Sequence, residues 1–319
     1  MWEGEDTEVA GENTRREGRV LGSSGLSLGG PLSRLPFHFA FDSTSPPFLA
    51  ALLPSSIRRM RALTTLSLFT VLASCATASS RTNNSEPADG RAVLARMHDR
   101  YAGRWFQTLT FVQRTTQYRP DGTSQQSTWY EAQRGPRLRI DVGEPSAGNG
   151  ALYTADSLYV VRAGKVVRTR AEGNPFLPLI VGVYIQPLEV TVAQIAPYKV
   201  DLSRVHVQEF EGKPTYVVGS ASPSDTASPQ FWVEKDRLIV TRFRLPLIPS
   251  PDNHVQDVRL ENNVAVGGGW LATRVRMLDQ GKPLQTEEYP DWRVNVPLPE
   301  TFFQAEHWTE GEHWTRKRQ

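Results

Sequence analysis

The sequence predicts a mainly β fold, an antiparallel meander of about 11 strands behind one N-terminal helix. Short runs of alternating apolar and polar residues recur along the chain, each ended by a Gly, Pro, Asn or Asp turn. Glycine (24) and proline (23) are frequent, and aromatic and β-branched residues are common, which favours strands and turns over long helices. Strands do not alternate with helices, so a parallel sheet is not expected. With 39% hydrophobic residues, eight tryptophans and nine tyrosines, the chain can fill a sizeable core.

Residues 1–59 are Gly/Ser/Arg-rich without sustained periodicity, and read as a disordered leader or an over-extended start upstream of Met60. Arg58, Arg59 and Arg61 then precede an apolar stretch, Ala62–Leu72, of signal-peptide length and too short to span a membrane. Leu72-Ala73-Ser74-Cys75 resembles the lipobox of bacterial lipoprotein signal peptides. Residues 60–74 are accordingly expected to be removed and Cys75 acylated, with 75–89 a polar lipidated tether and 90–319 the folded domain. Cys75 is the single cysteine, which excludes an intramolecular disulfide, a thiolate zinc site and an iron–sulfur cluster.

Within the domain, Val93, Leu94, Met97 and Tyr101 recur at helical spacing over Arg91–Tyr101, with Asp89 as N-cap and Gly103 as stop. Strand patterns follow from Phe106 to Tyr118, Ser127 to Gln133, Arg137 to Val142, Leu152 to Thr154, Ser157 to Arg162 and Lys165 to Arg170. They resume over Val205–Phe210, Thr215–Ser220, Gln230–Glu234, Leu238–Leu245, Gln256–Glu261, Trp270–Leu278 and Leu284–Val294. Between the two series, Asn174–Pro197 is apolar and punctuated by prolines, so it forms short helical turns, either as a cover over a curved sheet or as a fixed part of the core.

Charge and motif patterns exclude several functions. A net charge of +2 with 22% charged residues lacks the basic face of a nucleic-acid binder. His307 and His313 match no common zinc spacing and lie beside Arg316-Lys317-Arg318, as in a solvated tail anchored by Trp308 and Trp314. Gly267-Gly268-Gly269 precedes a strand, so it is a loop or bulge and not a phosphate cradle. No Gly-x-Ser-x-Gly elbow occurs, and Asp141, Asp156, Asp257, Glu261, Asp279 and Asp291 read as surface charges. Neither catalysis nor a cofactor or metal is expected.

The order of Phe111-Val112-Gln113, Asp121-Gly122, Thr128-Trp129-Tyr130, Gly135-Pro136 and Arg139-Ile140-Asp141 resembles the LolA/LolB-like superfamily of lipoprotein carriers. The Leu152–Val167 hairpin and Gly173-Asn174-Pro175-Phe176 extend the resemblance. It implies a curved, incomplete antiparallel β-barrel whose apolar cavity takes lipid or lipoprotein acyl chains under short lid-like helices. Candidate lining residues are then Phe111, Trp129, Leu138, Ile140, Leu152, Tyr159 and Val161, each of which is also a plausible plain core position. Phe176, Leu177, Leu179, Ile180, Val183 and Tyr184 would form the lid, and Arg134 would contact it. An anchored chain lies closer to the fixed acceptor than to the soluble shuttle, and Ala76 after the cysteine implies outer-membrane sorting. A structural lipoprotein of the same fold, holding an envelope protein partner and no cargo, is the alternative.

Overall fold

The computed structural model describes residues 86–248 and 254–318. Helix α1 (Gly90–Tyr101) begins where expected, the Asp89 carboxylate accepting from the Ala92 amide as the N-cap. Six strands follow: β1 (Thr108–Tyr118), β2 (Ser124–Arg134), β3 (Arg137–Val142), β4 (Gly150–Tyr153), β5 (Leu158–Arg162) and β6 (Lys165–Arg170). After an insertion come β7 (Val205–Phe210), β8 (Lys213–Val218), β9 (Gln230–Glu234), β10 (Ile239–Leu245), β11 (Gln256–Val266), β12 (Gly269–Asp279) and β13 (Lys282–Val294). Each overlaps a segment named from the sequence, and they total 13, not about 11.

All 13 belong to one open sheet in the order β6-β5-β4-β3-β2-β1-β13-β12-β11-β10-β9-β8-β7. Two meanders, β1 to β6 and β7 to β13, are thus joined where β1 pairs with β13, Leu109 opposite Val294 and Gln117 opposite Gln285. The free edges are β6 and β7, and the insertion is the chain that runs between them. In it, helical turns over Pro178–Gly182 and Val183–Ile185 lead to a helix, α2 (Leu188–Ile195). The curved, incomplete antiparallel barrel with short helices is therefore the observed architecture. No helix among the described residues is long and apolar enough to cross a membrane.

Opposite faces of the sheet carry separate cores. On the inner face, Val93, Leu94, Met97 and Tyr101 of α1 share a cluster with Tyr216, Val218, Phe231, Val233 and Phe243. Tyr184 of the insertion joins it by stacking on Trp105, ring centroids 3.8 Å apart. Two glycine sites permit this approach. A Cβ on Gly90 would stand 2.3 Å from the Val218 side chain, and one on Gly269 2.6 Å from the Trp105 ring. On the outer face, Ala132, Leu152 and Val161 lie under Phe302, Phe303, Trp308 and Trp314 of the C-terminal segment.

That second cluster corrects two expectations. The C-terminal segment is docked on the sheet, not solvated, with Trp308 and Trp314 both buried. Asp141 is fully buried, not a surface charge, because it pairs with Arg139 at 2.9 Å. The Arg139 guanidinium lies 4.0 Å from the ring centroids of both Phe302 and Trp308 and donates to the carbonyls of both residues. His313 adds a 3.3 Å contact to Asp141, and His307 faces Glu310.

Candidate binding site on the inner face of the sheet

Strand register decides which side chains share the inner face. Phe111 stands opposite Glu131, Glu131 opposite Ile140, Ile140 opposite Ala151 and Ala151 opposite Val160, a row across β1 to β5. Phe111 belongs to the cluster formed by α1, so this is the inner side. By the period of two, Trp129, Gln133, Leu138, Tyr153 and Leu158 lie on it as well. Four of the seven residues expected to line a cavity therefore share this face: Phe111, Trp129, Leu138 and Ile140. The other three, Leu152, Tyr159 and Val161, point outward under the C-terminal segment. Their strands are the expected ones; their parity is not.

This half of the inner face carries apolar side chains, and the helices pack mainly on the other half. The most extensive contacts of α1 with the sheet are to β8, and those of the Pro178–Gly182 turn are to β10. Trp129, Leu138, Tyr153, Leu158 and Val160 are buried but belong to neither packed cluster.

Similarity in structure is found to a number of solved proteins, three of which follow. A DUF1329 family protein from Desulfovibrio piger is 14% identical, with 69% of this chain and 98% of that chain covered and a TM-score of 0.46. The LolA superfamily protein NE2245 from Nitrosomonas europaea is 15% identical, covering 68% and 97%, with a TM-score of 0.41. An outer-membrane lipoprotein-sorting protein domain from Vibrio parahaemolyticus is 9% identical, covering 67% and 96%, with a TM-score of 0.38. No protein-family model and no curated protein matches the chain.

The insertion residues are tightly placed. Leu177, Leu179, Val183 and Tyr184 are buried, and Phe176 and Ile180 pack half-buried against the inner cluster. Asn174 Oδ1 accepts from the amides of Phe176 and Leu177, which fixes the entry turn. The Val183 carbonyl is 3.0 Å from His98 Nδ1, and the Tyr184 hydroxyl donates to the Leu238 carbonyl at 3.2 Å. A pocket of about 10 Å³ lined by Pro136, Thr154, Leu177 and Gln186 has room for roughly one water and not for an acyl chain. Arg134 donates to the Leu298 carbonyl and pairs with Glu300, so these partners lie in the C-terminal segment and not in the insertion. Cys75, Met60, the 1–59 leader, the 60–74 signal segment and the tether up to residue 85 lie outside the described residues.

Sequence reasoning missed the polar groups on this face. Glu131, Gln133 and Gln113 of β1 and β2 are buried there, with Gln285 and Glu287 of β13 nearby across β1. Burial, reinforced by Glu287 and Asp141, pushes the Glu131 carboxyl well above the usual carboxylate range. Burial also raises Glu287, against hydrogen bonds from Tyr289 and Gln285. Burial pushes the Tyr198 phenol up to about 12. The signal available in the sequence was parity: counting back from the Gly135-Pro136 turn puts Glu131 in register with Ile140.

Proposed function

We propose that this chain is a membrane-anchored lipoprotein of the cell envelope, held by acylated Cys75, that binds acyl chains of lipids or lipoproteins on the inner face of its sheet. The observation that carries the reading is the run of apolar side chains Phe111, Trp129, Leu138 and Ile140 along one face of the sheet, continuous through Phe111 with the cluster packed by α1. Each methylene buried there gains about 0.8 kcal/mol, so a single acyl chain supplies ample affinity without any polar contact. The resemblance to lipoprotein carriers agrees with an envelope location, and Ala76 with the outer membrane facing the periplasm. The insertion, which spans the two sheet edges, is the proposed cover.

Native mass spectrometry of the full chain with Cys75→Ser, followed by lipid extraction, tests cargo binding. Co-purified acyl lipid supports the reading, and Ile140→Arg should abolish uptake of a fluorescent fatty acyl probe. A folded protein that is empty and takes up no probe overturns it. Radiolabelled palmitate incorporated by the natural chain, and lost in Cys75→Ser, tests the anchor.

One observation favours the alternative of a protein partner. The free edge strands expose Val166 and Val167 on β6 and Val207 on β7, a pattern open to strand addition. Crosslinking from these valines to another envelope protein, with no lipid recovered, would favour that alternative.

A further inference from the structure

Elsewhere in the fold, buried and half-buried carboxylates meet cations. Asp141 pairs with Arg139 at 2.9 Å, Asp257 with Arg242 at 2.6 Å, and Glu234 with Lys213 at 3.1 Å and with Arg237. The inner-face carboxylates do not follow this pattern. Glu287 is held by hydrogen bonds, from Gln285 Nε2 and the Tyr289 hydroxyl, each at 2.5 Å, and from the Gln113 side chain. Glu131 is 4% exposed, and among the described residues no hydrogen bond reaches its carboxylate. The charges acting on it are two further carboxylates, Glu287 and Asp141, and the Tyr153 and Tyr289 phenols also face it. Two positions along the same strand, Gln133 Oε1 is buried without a partner, its Nε2 being engaged by the Gly135 carbonyl at 2.6 Å. Acceptors and negative charge are thus gathered around Glu131 and Gln133 among apolar side chains, with Arg168 of β6, its Nη1 buried, in the same row four strands from Glu131.

We propose that Glu131 and Gln133 receive the primary ammonium head of an amphiphile whose tail lies along Phe111, Trp129, Leu138 and Ile140. The proposal rests on the acyl-binding reading above and names its ligand class. An ammonium brings three donors and no acceptor, which matches the two Glu131 oxygens and Gln133 Oε1. A fatty acid carboxylate would instead add negative charge beside the Glu131 and Glu287 carboxyls, and a fatty alcohol supplies a single donor. The amphiphile is an amine-headed lipid or a simple alkylamine; the chemistry recognised is the same.

Binding has a proton signature. Buried and beside two further carboxylates, Glu131 holds its proton to higher pH than an ordinary carboxylate; a bound ammonium reverses that shift and releases the proton. Acid therefore weakens amine binding and leaves alcohol binding unchanged.

Displacement of a fluorescent acyl probe from the full chain by dodecylamine, dodecanol and dodecanoate tests this, with phosphatidylethanolamine and phosphatidylglycerol as lipid arms. Near neutral pH the amine should displace at about a tenfold lower concentration than the alcohol, with the carboxylate weakest. That advantage should shrink in acid. In Glu131→Gln, checked for folding by circular dichroism, amine and alcohol should become equivalent. Preference for phosphatidylethanolamine over phosphatidylglycerol would identify a lipid headgroup as the source; amine preference without lipid discrimination would support the simple alkylamine. Equal displacement by all three dodecyl compounds in the wild-type chain overturns the ammonium site and leaves acyl binding standing. Failure of the probe to bind at all overturns both.

Discussion

Arg139 shows how one side chain secures a segment remote in sequence. Its guanidinium is buried between the rings of Phe302 and Trp308 and fixed by Asp141. Removing one member of a buried pair leaves an uncompensated charge, so Arg139→Ala should cost about 3–5 kcal/mol in denaturant unfolding. Loss of under about 1 kcal/mol would mean that the C-terminal segment docks without it. Glu131 makes the opposite case. Its raised folded-state pKa favours the native state in acid, and that contribution is lost as pH rises above the ordinary carboxylate range toward the folded value. Glu131→Gln should therefore gain stability relative to wild type at neutral pH and not in acid, read from thermal melts at both; a difference independent of pH would count against the shift. Trp105→Ala removes the ring stacked on Tyr184 and should cost about 3–5 kcal/mol. Neither Arg139 nor Glu131 stands out in the sequence as a pivotal residue. Charges on strands read as solvated until register and the chain above them are known.

Among the elements, α1 and the insertion were legible and the C-terminal segment was not. Helical spacing with Asp89 before it specifies α1 to within a residue, and proline-punctuated apolar residues announce the turns that begin at Pro178. Phe302, Phe303, Trp308 and Trp314 carry no period, so an aromatic-rich tail gives no sign of which surface it covers. Leu152, Tyr159 and Val161 were misplaced for a related reason. Alternation locates a strand, but the face toward the core depends on counting through every turn, and here the outer face is apolar too. Deleting residues 298–319 should bare Ala132, Leu152 and Val161, seen as increased binding of a hydrophobic dye and a lower melting temperature. An unchanged melt would show the segment to be dispensable. At the α1–β8 contact, Gly90→Ala places a methyl against Val218 and should cost about 1–3 kcal/mol in the same unfolding measurement.

Across the whole molecule, the meander was readable because hairpins are local, each turn specifying its two strands. The pairing of β1 with β13 was not, because nothing in either strand names a partner at the far end of the domain. That pairing has a kinetic consequence. Ribosomal synthesis makes β13 near the end of the chain, and until it arrives β1 exposes a bare ladder of amides and carbonyls beside its partner β2. Contacts of such high order form slowly, so the nascent domain spends its assembly with four strand edges open instead of two, and aggregation in that interval competes with folding.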